Sequence, residues 1–469
     1  MEKLKIGFIT TGMEVFDEIL PAPDLKGDDD SGPPAYFSEL EAFLKKHGDV
    51  VYGGYIGSYK SAGVANETFR RECIDILVLH EYTFTQGSTL AALFEGLENI
   101  PYIFWNTQEI EAMDHKTVNI GTIFANNSIS TIPHAANVLF QRGKDFQVFT
   151  GTHKNPKLIK RFEDYFTVVQ TAKYLRILRI GSIGNQYPGM ITCSVNEASL
   201  RDLIGPTVEH ITMKDTVDAI KVVSDADIDK EVKLIKEKYS ISNLNEDELR
   251  RSAKIYLGMK KLIGTRDIDV LADICNLMIL EEEIGLAPCY AMTKLADEGM
   301  HSACENDILV ATAIAISNAI AGNAWFTEFY MMDMEKENIF CGHCGYAPTE
   351  NANPKYPIKG VPCPTYPGCC GKGLAFEFIA KPGRGCLLSL VNAPYGFKMI
   401  ATEIDIQDTP PFSTECPQVV FKFRNHSFED GIEKFAKSGA SHHFVLVYGD
   451  YAKQFEALSE LIGIDFELV

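Results

Sequence analysis

The chain has 469 residues, which at roughly 100–200 residues per domain predicts two to four domains. Hydrophobic residues make up 46% and charged residues 23%, a composition typical of a soluble globular protein. The formal net charge of −20 repels phosphate backbones and anionic membranes, so the composition argues against nucleic acid and membranes as partners. Neutral small molecules and cations remain compatible ligands.

The apolar run near the N-terminus, in MEKLKIGFITTG, is too short for a transmembrane helix and lacks the shape of a signal peptide. The apolar stretch at 308–321 contains Ser317 and Asn318 and is also too short to span a bilayer. We therefore predict a cytoplasmic protein. In that compartment its twelve cysteines are expected to be reduced thiols.

The first part of the chain, to about residue 170, alternates short apolar runs with amphipathic segments. Strands are predicted at LKIGFIT, VVYGGYI, IDILVLH and IPYIFWNT, and helices between them at FSELEAFLKKHG and LAALFEGLEN. This alternation predicts a parallel, doubly wound sheet in a domain at 1–172. Ligands of such sheets bind beyond the carboxyl ends of the strands, here in the loops after Thr10, His80 and Asn106.

A second α/β domain is predicted at 173–345. It begins with an apolar run and a glycine-rich loop in LRILRIGSIGNQYPGM, and helical patterns follow at 228–239 and 246–263. The segment DIDVLADICNLMILEEEIG is predicted to be one helix with an acidic end. The last domain, 346–469, is rich in Pro, Gly and Cys and then in strand-forming segments, which predicts an antiparallel, barrel-like fold.

Three segments of the second half carry candidate metal ligands. Glu305 stands before the apolar helix in HSACENDILVATAIAISNAIAG, although Ser302 and Glu305 also have the spacing of a capping box. In WFTEFYMMDMEKENIFCGHCG the flanking runs predict a hairpin, with Asp333 either a ligand or the start of the turn and His343 just beyond. His443 follows His442 before a predicted strand, where only one of the two can face a given site.

Together, Glu305, Asp333, His343 and His443 supply two carboxylates and two imidazoles. Mixed oxygen and nitrogen ligands suit Mn²⁺, Co²⁺, Fe²⁺ or Mg²⁺. A rival metal site is a structural zinc at Cys341 and Cys344, completed by Cys363 with Cys369 or Cys370. No phosphate-loop or dinucleotide motif occurs, so no nucleotide cofactor is predicted.

The segments SACEND, FYMMDME, HCG and GASHHFVLVYGD together resemble the four metal-binding segments of the L-arabinose/L-fucose isomerase superfamily, and the similarity runs nearly end to end. The resemblance implies that Glu305, Asp333, His343 and His443 bind the metal, and that Glu305 and Asp333 also form the acid/base pair. Asp333 matches the fucose branch, whereas His343 matches the arabinose branch. The cysteine-rich segment after His343 matches neither.

The N-terminal half carries the same resemblance in ILVLHEYTFTQ, IFWNTQE and IPHAAN. It implies that Gln108 and His134 contact the sugar, supplied across a subunit interface, and that the protein is a homo-oligomer, either trimer or hexamer. The resemblance implies a ketol isomerase that interconverts an aldose and a ketose through a cis-enediol, with Mn²⁺ as the expected metal. A lyase or epimerase with the same metal site and a non-catalytic sugar- or zinc-binding protein are the alternatives.

Overall fold

The computed structural model describes residues 2–13, 35–366 and 369–469. The chain divides into two compact units, 1–170 and 171–469. The first unit ends two residues before the boundary predicted at 172. The two domains predicted beyond that point lie together in the second unit. None of the described helices combines the length and the apolar character needed to cross a bilayer.

The first unit is an α/β sandwich around one sheet. Its elements are β1 (Leu4–Thr11), α1 (Ala35–Leu44), β2 (Gly48–Ile56), α2 (Tyr59–Glu72), β3 (Ile76–Glu81), α3 (Gly87–Phe94), β4 (Tyr102–Asn106), α4 (Ile120–Ala125), α5 (Ser128–Phe140), β5 (Gln147–Thr150) and α6 (Pro156–Leu175). The strands are all parallel, in the order β2-β1-β3-β4-β5. This confirms the predicted doubly wound sheet.

The central strands of this sheet read as continuous apolar runs because both of their faces are covered. Seven of the eight residues of β1 and all six of β3 are buried. Gly7 leaves room in β1 for the side chain of Ile74, since a Cβ at that position would lie 2.5 Å from Cδ1 of Ile74 and would force it to shift. The pattern of the sequence therefore follows directly from the packing of this unit.

The second unit begins with a smaller parallel sheet and its helices. Its elements are β6 (Arg179–Ile183), α7 (Glu197–Leu203), β7 (Thr207–Ile211), α8 (Met213–Lys221), α9 (Asp225–Lys238), β8 (Ser240–Ile241), α10 (Glu246–Arg266), β9 (Val270–Asp273), α11 (Cys275–Leu280), α12 (Cys289–Asp297), β10 (Ser302–Ala303) and α13 (Ile308–Ala321). The parallel order is β10-β9-β6-β7. This confirms the second predicted α/β sheet.

One prediction in this region is wrong. The segment from Asp267 to Gly285 is not a single helix, because its first apolar run is strand β9, which lies buried between β6 and β10. Helix α10 ends at Arg266, and the residue that caps it, Asp267, has a left-handed backbone with φ 55°. Three apolar residues between two aspartates fit either a helix or a buried strand, and here the sheet determines the outcome.

The remaining elements build a large sheet. They are β11 (Trp325–Asp333), β12 (Asn338–Gly342), β13 (Lys359–Pro362), β14 (Thr365–Tyr366), β15 (Cys369–Cys370), β16 (Leu374–Ile379), β17 (Gly383–Ala393), β18 (Gly396–Ile406), β19 (Pro417–Phe423), α14 (Phe428–Lys437), β20 (His443–Tyr448), α15 (Ala452–Ile462) and β21 (Asp465–Leu468). The hydrogen-bonded order is β21-β18-β17-β20-β11-β12-β19-β16-β13-β8.

An additional pairing of β18 with β19 closes six of these strands into an antiparallel barrel. Around the ring the order is β17, β20, β11, β12, β19 and β18. The predicted barrel-like fold is therefore confirmed. The barrel already includes β11 and β12, so it begins before residue 346, where the predicted third domain starts. Helix α13 packs against β17 and β20 and also against β9 of the parallel sheet.

Candidate metal and catalytic site

Glu305 is presented by the short connection between β10 and α13. Its backbone is left-handed with φ 60° and ψ 20°, and the next residue, Asn306, also has φ 55°. Ser182 donates its hydroxyl to Oδ1 of Asn306 at 3.0 Å, which holds this turn against the end of β6. Two successive non-glycine residues in this conformation are typical of strained backbone at a functional site.

The helix cap next to this turn is Asp307, so the alternative in which Glu305 merely caps the helix is wrong. Oδ1 of Asp307 accepts the backbone N–H of Val310 at 3.0 Å. Ser302, the other member of the predicted capping box, lies in β10. The Glu305 side chain is therefore available for another role.

His443 is the first residue of β20 and is buried beside Glu305. Its Nε2 lies 3.6 Å from Oε2 of Glu305, and its Nδ1 lies 3.1 Å from Oδ2 of Asp307. Because an ionised carboxylate only accepts, Nδ1 donates to Asp307 and Nε2 carries the lone pair. A carboxylate that orients an imidazole in this way is the usual partner of a metal-ligating histidine.

His343 lies one residue beyond β12 and completes the imidazole pair. Its ring centroid is 5.8 Å from that of His443, and the ring of Phe326 packs 4.5 Å from His343 and 4.8 Å from His443. Both histidines are nearly inaccessible to solvent. The structure thus brings together Glu305, His343 and His443, three of the four residues predicted as ligands.

Asp333 does not join them, and the prediction that it does is wrong. It ends strand β11, where its Oδ1 accepts the backbone N–H groups of Glu335 and Lys336 at 3.1 and 3.0 Å. It therefore starts the hairpin turn, as the alternative interpretation held. Asp333 lies five residues beyond Glu328 on the same strand, which at the usual rise per residue separates the two by about 16 Å along the strand.

The second carboxylate of the cluster is Glu328, which the sequence analysis missed. Glu328 is paired with His443 across β11 and β20. Its Oε1 lies 3.9 Å from Nε2 of His343. A signal was present in the sequence, because Glu328 is the one charged residue inside the apolar run WFTEFYMM, where an unpaired carboxylate is unfavourable.

His442 lies closer to the cluster than predicted. Its ring centroid is 3.9 Å from that of His443, and its ligand atom lies within 4.8 Å of those of Glu305 and His443. It precedes the first residue of β20, so the alternation of side chains along a strand does not apply to it. Its side chain is exposed, at the open edge of the cluster.

Burial and neighbouring charges shift the pKa values of the two carboxylates. Burial raises the pKa of Glu305, His443 opposes this increase, and Asp307 adds to it. Burial also raises the pKa of Glu328, with His443 opposing and Glu305 adding. Burial lowers the pKa of His443, but the hydrogen bond and charge of Asp307, with Glu305 and Glu328, raise it overall. Carboxyl groups with raised pKa values are suited to proton transfer near neutral pH.

The residues present fit a divalent cation. Oε2 of Glu305 and Nε2 of His443 are both buried and have no hydrogen-bond partner among the described residues. Such atoms are expensive to bury without a partner. A cation between two carboxylates and two imidazoles would satisfy them, and this donor set suits Mn²⁺ and its neighbours.

The predicted cysteine site for zinc is not assembled in the described part of the chain. Cys341, Cys344 and Cys363 are buried, but they do not form a group whose sulfurs could share one ion. The side chain of Cys369 lies outside the described residues. A structural zinc at this cluster therefore has no support from the three sulfurs that are described.

Gln108 and His134, the predicted sugar contacts, lie in the first unit. Gln108 follows β4 and its Nε2 donates to the carbonyl oxygen of Ile110 at 2.5 Å. His134 is exposed on α5 with its ring 5.0 Å from that of Phe84. Gln108 lies beyond the carboxyl end of the parallel strand β4, where ligands of such sheets bind.

Comparison with known proteins identifies the family. The family model described as the L-arabinose isomerase central domain matches residues 195–323, and that of the C-terminal domain matches residues 323–465. The two matches together span more than half of the chain. The chain belongs to the L-arabinose isomerase superfamily. Both matches fall within the unit that holds Glu305, Glu328, His343 and His443.

Individual members of this superfamily are similar in sequence to this chain over most of its length. A sulfoquinovose isomerase of Priestia megaterium is 24% identical over 395 residues, which cover 84% of this chain and 85% of the relative. One from Alkalicoccus urumqiensis is 24% identical over 396 residues, covering 83% and 85%. An L-arabinose isomerase of Shouchella clausii is 21% identical over 394 residues, covering 82% and 79%. On these similarities, the chain is an aldose–ketose isomerase of the superfamily.

Proposed function

We propose that the chain is a divalent-metal-dependent isomerase that converts an open-chain aldose into its ketose through a cis-enediol. The observation that carries this proposal is the pair of buried atoms Glu305 Oε2 and His443 Nε2, which lie 3.6 Å apart and have no hydrogen-bond partner among the described residues. Glu328 and His343 supply the other two ligands. Mn²⁺ is the expected metal, with Co²⁺, Fe²⁺ and Mg²⁺ also compatible with the donor set.

A bound divalent cation would stabilise the negative charge that develops on the two adjacent sugar oxygens during enolisation. The protein then needs to move one proton between two carbons. Oε2 of Glu305 lies 3.6 Å from Nε2 of His443, and Glu328 is the residue paired with His443 on the neighbouring strand. A sugar bound at the cluster would therefore lie within reach of both carboxylates. One carboxylate removes the proton from C2 and a carboxyl group returns a proton to C1.

The environment of these two side chains supports the assignment. Burial raises the pKa of Glu305 and of Glu328, and a raised pKa makes a carboxyl group better suited to proton transfer. Phe326 covers the two imidazoles and limits water around them. Exclusion of water strengthens the electrostatic interactions at the site.

The names of the relatives supply the first substrates to try. L-arabinose and sulfoquinovose are both aldoses, and the relatives named for them match similar shares of this chain. We propose an aldose of this kind as the substrate, with Gln108 and His134 as further sugar contacts. The trimeric or hexameric assembly remains a prediction, which native mass spectrometry tests directly.

To test the proposal, the metal is removed from the protein with a chelator, and conversion of each aldose is measured before and after Mn²⁺ is added back. We expect ketose formation only with metal, measured by NMR of the product. Glu305→Gln should reduce turnover by at least about 10²-fold while circular dichroism stays unchanged, because general acid/base catalysis typically supplies 10²–10⁴-fold. An epimer or a cleavage product instead of a ketose would indicate the epimerase or lyase alternative, and metal-independent turnover would contradict the proposal.

A further inference from the structure

Two buried thiols lie against each other next to the proposed metal centre. Cys289 is the first residue of α12 and Cys363 follows β13, and their sulfur atoms are 3.7 Å apart. Both are less than 5% exposed, in a small apolar cluster with Ala287, Val361 and Ala375. A disulfide has an S–S length of about 2.05 Å, so closing this pair requires a movement of roughly 1.7 Å.

The same pair is connected to the segment that carries His343. The thiol of Cys289 donates to the carbonyl oxygen of Cys344 at 3.5 Å. The thiol of Cys344 lies 3.6 Å from Nδ1 of His343. A Cβ on Gly345 would lie 3.0 Å from the sulfur of Cys289, so the backbone passes directly over this thiol. Movement of the Cys289 sulfur therefore acts on the residues next to His343.

We propose that Cys289 and Cys363 form a reversible disulfide that weakens metal binding at the centre containing His343. A small hydroperoxide is the oxidant: one thiolate attacks its terminal oxygen to give a sulfenic acid and releases an alcohol or water. The second thiol attacks that sulfur and releases water, so two thiols lose two electrons and two protons in total. A dithiol reductant reverses the step by thiol–disulfide exchange.

The effect on the metal follows from the loss of one donor. A sulfur in a disulfide carries no hydrogen, so the carbonyl oxygen of Cys344 loses the thiol that holds it. Loss of a direct hydrogen-bond partner of a metal ligand typically costs about 10–100-fold in metal affinity, so we expect a change one residue away from His343 to have an effect at the lower end of that range. Cys363 lies two residues before the exposed Thr365, so the thiol pair is close along the chain to the surface.

The test treats the full-length protein with hydrogen peroxide and measures two quantities, the Cys289–Cys363 cross-link and the Kd for Mn²⁺ by calorimetry. The measurement of the Kd for Mn²⁺ rests on the proposed function, whereas detection of the cross-link does not. Fragment-ion sequencing has to assign the sulfurs, since the tryptic peptides 267–294 and 360–372 also contain Cys275 and the pair Cys369 and Cys370. We expect the cross-link, with a Kd for Mn²⁺ raised about tenfold or more and restored by dithiothreitol.

Two variants make the result specific. Cys363→Ser should abolish both the cross-link and the response of the Kd to peroxide. Cys386→Ser removes a different buried thiol, on β17, and should behave as wild type. Absence of the cross-link, its formation without a change in Kd, or zinc bound by these thiols in the purified protein would each overturn the proposal. Failure of the reduced protein to bind Mn²⁺ at all would instead contradict the proposed function.

Discussion

Asp307 connects helix α13 to the imidazole of His443. One of its carboxylate oxygens accepts the N–H of Val310 at 3.0 Å, and the other accepts Nδ1–H of His443 at 3.1 Å. The residue is nearly inaccessible to solvent, so both hydrogen bonds are shielded from water. The start of the helix therefore fixes the tautomer of a proposed metal ligand and points Nε2 toward Glu305.

Asp307→Asn separates the two roles of this residue. Asparagine is as good a helix cap as aspartate, so the cap should survive and the melting temperature should change little. The negative charge that favours the Nδ1–H tautomer is lost, and we expect the Kd for Mn²⁺ to rise by about 10–100-fold. Calorimetric titration measures the affinity and differential scanning calorimetry the stability. Unchanged affinity would show that Asp307 only caps the helix.

The left-handed turn at Glu305 and Asn306 gives a prediction about stability. Asparagine tolerates φ near 55° better than alanine, and its Oδ1 accepts the hydroxyl of Ser182. Asn306→Gly should lose only the hydrogen bond, whereas Asn306→Ala should also strain the backbone by about 1–2 kcal/mol. We therefore expect a lower melting temperature for the alanine variant than for the glycine variant. Equal melting temperatures would mean that the turn relaxes without cost.

The burial of Asp273 is expected to make the stability of the fold depend on pH. This residue ends β9 with both carboxyl oxygens buried and unpartnered among the described residues, and burial raises its pKa to about 7. The unfolded chain ionises this group near pH 4, so between about pH 4 and 7 the folded state binds the extra proton. Stability should therefore fall as pH rises through this window, by at most about 1.4 kcal/mol per pH unit.

Asp273→Asn should remove this part of the slope, because the amide does not ionise. Melting temperatures of the chelated wild type and variant, measured from pH 4.5 to 8, provide the comparison. We expect the variant to gain stability relative to wild type as pH rises to about 7, with no further gain above it. A constant difference across the range would show that Asp273 does not carry the proton.

The sequence alone predicted those parts of the fold in which all residues of a segment share one environment, because their hydrophobic pattern is then unambiguous. Strands β1 and β3 are covered on both faces and read as uninterrupted apolar runs, and Glu305, His343 and His443 follow or precede such runs. Strand β9 was missed because its four residues sit beside a helix of similar composition. Only pairing with β6 and β10 distinguishes the two.

The error at Asp333 has a different cause. Glu328 and Asp333 lie on the same strand, and each is a carboxylate near an apolar run. Which of them faces His443 depends on the register of β11 with β20, a relationship between segments more than a hundred residues apart. Sequence patterns give the two strands but not their register. The thiol contact between Cys289 and Cys363 is equally non-local and was not predicted.

The most direct test of the account is the Mn²⁺ stoichiometry of three proteins measured side by side by elemental mass spectrometry: wild type, Glu328→Gln and Asp333→Asn. The two variants remove one carboxylate charge each from the same strand, so they are matched controls for each other. We predict about one Mn²⁺ per chain in wild type and in Asp333→Asn, and little or none in Glu328→Gln. Metal retained in Glu328→Gln, or lost in Asp333→Asn, would contradict the assignment of the site.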